Sequence, residues 1–245
     1  MADERLPDGR LERALRRAVE RGFTHICRLN HSCCPNLHCS WNAALGAQTV
    51  YALCDIECGA ELTVSYLPTL EQSRAVRRSA LQAGFGFGCA CATCSLTGDA
   101  LAASERRRAR LEKLGEEVRA ATDPSRAAGA MRAAMASGAD FRTAAGQQKL
   151  RDLQAELRGE GVALIEERLA LLAQEGAVHA ARAWATLEAA AKLCTTLGDR
   201  DGAGRWTAKA AKCALLALGR ESADFTRYAE ALRGGVARGT TSRAA

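Results

Sequence analysis

Cys89, Cys91 and Cys94 form a tight C-x-C-x-x-C cluster, and far upstream of it runs Asn30-His31-Ser32-Cys33-Cys34-Pro35-Asn36. Thiolates and imidazoles at such spacing are metal ligands, and zinc is the cation they suit. Three cysteines leave one tetrahedral position open, whereas structural zinc sites are closed by four protein ligands. Cys33, Cys34, Cys39, His31 and His38 can each supply the fourth. Any of them would make the metal a staple between two distant segments. A disulfide framework is the weaker reading, because residues 1–22 hold no apolar stretch resembling a secretory signal.

The intervening stretch from Val50 to Tyr66 must bring these groups together. Alternating β-formers on either side of Glu57-Cys58-Gly59 predict a strand, a turn, and a second strand ending in Tyr66. Three motifs therefore follow in order: R-x-N-H-S-C-x-P-N from Arg28, D-I-x-x-G-x-E-L-T-x-S-Y from Asp55, and F-G-F-x-C-x-C-x-x-C from Phe85. This series resembles the carboxyl half of a SET-domain protein lysine methyltransferase with its post-SET zinc loop, in the SMYD-like and fungal manner.

The resemblance implies roles residue by residue. Cys33 becomes the fourth zinc ligand beside Cys89, Cys91 and Cys94. Asn30 and His31 match positions that contact S-adenosylmethionine, Phe87 matches an aromatic that packs on the adenine, and Tyr66 matches the catalytic tyrosine at the lysine channel. Methyl transfer from a sulfonium to an amine is an in-line displacement, so the protein supplies alignment and electrostatics. The lysine, with an unperturbed pKa of about 10.4, must arrive neutral, and an apolar channel beside a cation favours that form. Tyr66 is assigned to orientation, not to covalent catalysis.

A SET fold also carries a G-x-G strand upstream, and 29 residues precede Asn30. They contain Leu11, Ala14, Leu15, Ala18 and Val19 at helical spacing with a face of arginines, which predicts one amphipathic helix. Gly84-Phe85-Gly86-Phe87-Gly88 is no substitute, since it abuts the cysteines. The expectation is a SET protein incomplete at its amino terminus, binding cofactor weakly and turning over little.

Composition shifts abruptly near Thr97 to Asp99, from cysteine and β-formers to alanine, leucine, arginine and glutamate. Helices are expected over 101–121, 127–137, 147–157, 161–174, 178–197, 202–218 and 223–233, with a frayed tail from Gly234. The short link between 178–197 and 202–218 makes a helical hairpin, similar to the tetratricopeptide type that follows the post-SET loop in SMYD-like proteins. The expected fold class is α+β: a SET half with its leading helix (1–70), a post-SET zinc loop (71–98) and an α-helical region (99–245).

A net charge of +6 is spread over arginines interleaved with acids, and aromatics make up 4%. Specific nucleic-acid binding is therefore not expected. No apolar run approaches the roughly 18 residues that span a membrane. The chain is expected to be intracellular, nuclear or cytoplasmic, with a protein lysine as substrate and a protein partner on the carboxyl-terminal helices. The alternative to a methyltransferase is a non-catalytic, zinc-stabilised interaction module.

Overall fold

The structure, a computed structural model, describes residues 26–176 and 183–240, the last six by backbone alone. The expected leading helix and the start of the 178–197 helix lie outside these residues. A 3-10 turn, Ile26–Arg28, leads into β1 (Asn30–His31). Then β2 (Leu37–Asn42) and β3 (Ala47–Ala52) make an antiparallel hairpin, with Leu37 opposite Ala52 and Asn42 opposite Ala47. The buried Asn42 closes its turn by accepting from the amides of Ala44 and Leu45 at 3.0 and 3.2 Å.

The second expected strand shrinks to β4 (Thr63–Val64), which pairs in parallel with β1, Asn30 opposite Thr63 and His31 opposite Val64. Side chains take the place of a longer ladder. Asn36 donates to the Glu61 carbonyl and accepts from the Thr63 amide, both at 2.9 Å, while Ser65 Oγ accepts from the Leu67 amide at 3.1 Å and turns the chain. Tyr66 thus stands just beyond its strand, not at its end.

Seven helices follow among the described residues: α1 (Arg74–Phe85), α2 (Gly98–Ala121), α3 (Pro124–Ala136), α4 (Ala144–Gln174), α5 (Trp184–Thr196), α6 (Arg200–Leu218) and α7 (Ala223–Thr240). Asp123, Thr143 and Asp199 cap α3, α4 and α6 by accepting from backbone amides of the first turn. The expected break between 157 and 161 does not occur. Gly161 sits inside α4 because the Leu193 side chain of α5 occupies the place of a Cβ, so this glycine is a packing contact. Likewise α7 continues through Gly234 to Thr240, where a frayed tail was expected. An interior glycine costs only about 1 kcal/mol, which an otherwise favourable helix absorbs.

The fold is α+β. Its largest apolar core joins Leu187, Ala190 and Cys194 of α5 to Trp206, Ala210 and Ala214 of α6, with Leu53, just after β3, buried in the same cluster. A second, smaller core gathers Cys33, Leu67, Leu70, Leu81, Cys89 and Cys94. Polar ties join the two regions: Glu105 of α2 accepts from the Arg74 amide at 2.9 Å, the buried Arg108 donates to the Leu70 carbonyl, and Arg168 of α4 pairs with Glu71 at 2.6 Å. No helix among the described residues is long and apolar enough to cross a membrane.

Candidate functional site

Cys33 follows β1, and Cys89, Cys91 and Cys94 follow α1, which ends at Gly86 in the left-handed conformation (φ 74°). The sulfur atoms of these four residues all lie within 4.8 Å of one another, Cys33 and Cys94 being 3.5 Å apart. A tetrahedral zinc with Zn–S of about 2.3 Å needs sulfurs about 3.8 Å apart, so the donor set is compatible with that ion. The separation also exceeds the ~2.05 Å of a disulfide. Of the other candidates for the fourth position, Cys34, Cys39 and His38 are not in this cluster, and His31 touches it from outside.

The thiols perturb one another strongly. Cys91 is pushed down to about 3, chiefly by the hydrogen bond from the Cys33 thiol, with the amides of Cys33 and Cys94 helping. Cys33 is pushed up by that same bond and by burial, and Cys89 is raised to about 11 by burial first. Thiolates this close share protons unless a cation neutralises them.

His31 bridges this cluster to Tyr66. Its Nδ1 accepts from the Tyr66 amide at 3.0 Å, which leaves the ring proton on Nε2 to donate to Cys33 Sγ at 3.4 Å. Burial holds the imidazole below its ordinary value, a positive Arg77 nearby adds to this, and Cys91 opposes it. Both ring nitrogens are thus engaged within the fold. The Tyr66 hydroxyl donates to the Leu29 carbonyl at 2.7 Å. Around it stand the rings of His31 (5.4 Å), Phe85 (4.9 Å) and Phe87 (6.3 Å, edge-on). Asn30 is exposed and donates to Glu61 Oε1 at 2.6 Å.

Several participants escaped the sequence reading. Phe85, 53% exposed, flanks Tyr66 as closely as any ring, and Glu61 orients Asn30 from within the second motif. Arg74 and Arg77 of α1 face the cysteine loop: Arg74 Nη1 donates to the carbonyls of Cys94 (3.2 Å) and Leu96 (2.9 Å), and Arg77 Nε to Cys33 Sγ at 3.3 Å. Their signal was the spacing Arg74, Arg77, Leu81, one helical face that ends in an apolar residue.

Residues 8–67 match the family model described as SET domain. That span begins upstream of the three motifs and ends before the downstream cysteines. Over 69 residues the chain is 42% identical to histone-lysine N-methyltransferase set5 of Schizosaccharomyces pombe, an alignment covering 28% of this chain and 21% of that protein. The chain thus spans about a fifth of the length of the curated relative it matches. The matched segment 8–67 is the one that supplies Asn30, His31, Cys33 and Tyr66.

Proposed function

We propose that the protein is an S-adenosylmethionine-dependent protein-lysine N-methyltransferase of the SET type, with a zinc ion on Cys33, Cys89, Cys91 and Cys94. The observation that carries the reading is the hydrogen bond from the Tyr66 amide to His31 Nδ1. It joins the first and second motifs of a SET-matching segment directly beside the cysteine cluster. In this reading residues 1–70 are SET, 71–98 the post-SET loop, and 99–245 a helical region whose α5–α6 hairpin is of tetratricopeptide type.

The residues present suit an adenosyl ligand: an exposed amide at Asn30, next to His31 in β1, and a half-buried ring at Phe87 beside Tyr66. Bound S-adenosylmethionine would supply a methyl group on a cationic sulfur. Asn30 and Phe87 would bind the cofactor, and His31 would position Tyr66 through its amide. The Tyr66 hydroxyl, its proton given to the Leu29 carbonyl, keeps oxygen lone pairs to accept an N–H of a neutral lysine amine. Such a bond would orient the amine for attack. Zinc would supply local folding energy and no step of the reaction. The name of the matched relative points to a histone lysine as substrate, which would place the work in the nucleus.

Incubation with labelled S-adenosylmethionine and histones tests the reading. Label should appear on lysine, and Tyr66→Phe should lower the rate about 10²-fold with zinc content and helicity unchanged. Zinc-loaded, folded protein that binds no cofactor and transfers no label would leave the interaction module as the better account.

A further inference from the structure

Arg77 has no solvent exposure at all, yet no carboxylate among the described residues pairs with it. Its guanidinium donates through Nη1 to the Gln72 carbonyl and through Nε to Cys33 Sγ at 3.3 Å. A carbonyl partner satisfies a hydrogen bond but leaves the charge uncompensated, and a buried, uncompensated cation is strongly disfavoured. The neighbouring buried guanidinium, Arg108, has its own partner in Glu175 at 2.6 Å. Among the described residues, the groups beside Arg77 that can carry the compensating negative charge are those of the cysteine cluster. Four thiolates around one divalent ion would provide it at the sulfur Arg77 touches, because that unit carries two net negative charges.

We propose that Arg77 is the outer-sphere cation of the four-cysteine centre, donating Nε–H to the metal-bound Cys33 sulfur and offsetting the negative charge of the site. The inference rests on the zinc reading above. It also explains the face of α1: Arg74, one turn earlier, holds the carbonyls of Cys94 and Leu96, while Leu81, one turn later, is buried in the same cluster. One helix thereby grips both the upstream ligand and the downstream loop. Arg77 is a positioning residue, acting on the metal through Cys33.

The test uses the full chain, its Arg77→Gln and Arg77→Lys variants, zinc in competition with a chromophoric chelator, and cobalt(II) as a spectroscopic probe. Arg77→Gln should lower zinc affinity about 10- to 100-fold, and Arg77→Lys, which keeps the charge, should lose less. In both variants the sulfur-to-cobalt charge-transfer band should move to lower energy, because neither side chain places an N–H as Arg77 Nε does, and a sulfur without that bond gives up electrons more easily. A general packing defect would not move this band. Circular dichroism identifies which variant folds, and either one suffices. An unshifted band in a folded variant, or wild-type zinc affinity in folded Arg77→Gln, overturns the inference. Wild-type protein that binds neither metal instead defeats the zinc reading itself.

Discussion

Cys91 is the most accessible of the four clustered cysteines, yet its sulfur accepts from the Cys33 amide at 3.4 Å, so it is oriented from the far side of the loop. Cys91→Ser should abolish stoichiometric zinc, because a hydroxyl is a poor zinc ligand at neutral pH and three remaining thiolates leave the site open. Elemental analysis showing one zinc in wild type and a small fraction of that in the variant is the expected result. Equal zinc in both would remove Cys91 from the ligand set. The cysteine types and spacing were readable from sequence because zinc demands four donors and the cluster offered three. What surrounds them was not. A motif does not say what a histidine ring touches, and the fold shows both His31 nitrogens engaged by Tyr66 and Cys33. An arginine on a helix looks solvated, and only the fold shows Arg77 buried.

Helices were legible at local breakers such as Asp123-Pro124 and Asp199, whereas α1 went unexpected despite its Ser73 cap, and the break at 157–161 was misjudged where a distant side chain decides. Gly161 is one such position, since its reason lies on Leu193. Gly219 is another. It ends α6 with φ 81° and ψ 172°, and a Cβ there would lie 1.9 Å from the Tyr51 hydroxyl of β3. The glycine therefore lets the β2–β3 hairpin dock on the end of α6, with Tyr51 reaching Glu221 at 3.4 Å. Gly219→Ala should destabilise the protein by about 1–3 kcal/mol from backbone strain alone, with the Tyr51 clash adding to it. Adding Tyr51→Ala should relieve the steric part and leave the conformational part. Chemical denaturation of the two single variants and the double variant measures both. Strict additivity would show that Tyr51 and Gly219 do not meet.

At the scale of the whole molecule, the cysteine-rich core and the largest helical core differ in kind, and acid should separate them. The smaller one is ordered by four thiols whose metal binding requires deprotonation, so protons compete directly with zinc. The larger one is reinforced by Glu188 of α5, which pairs with Arg227 at 2.7 Å and Lys192 at 2.8 Å and accepts from the buried Tyr228 hydroxyl at 2.8 Å. The hydrogen bonds from Arg227 first, then from Lys192 and Tyr228, hold the Glu188 carboxyl down to about 2, against an ordinary value of 4.5. A carboxylate with a depressed folded pKa stabilises fully above the unfolded value, and that stabilisation drains away as pH falls from 4.5 toward 2. Because this network is partly solvated, its share is about 1 kcal/mol. On acidification, zinc release followed by a metallochromic dye should therefore come first, while helicity and the emission of Trp184 and Trp206 persist. Loss of helix should follow in the lower range, and Glu188→Gln should flatten that limb without moving zinc release. Coincident loss of metal and helix would instead show that the ties through Arg74, Arg108 and Arg168 bind the two cores into one cooperative unit.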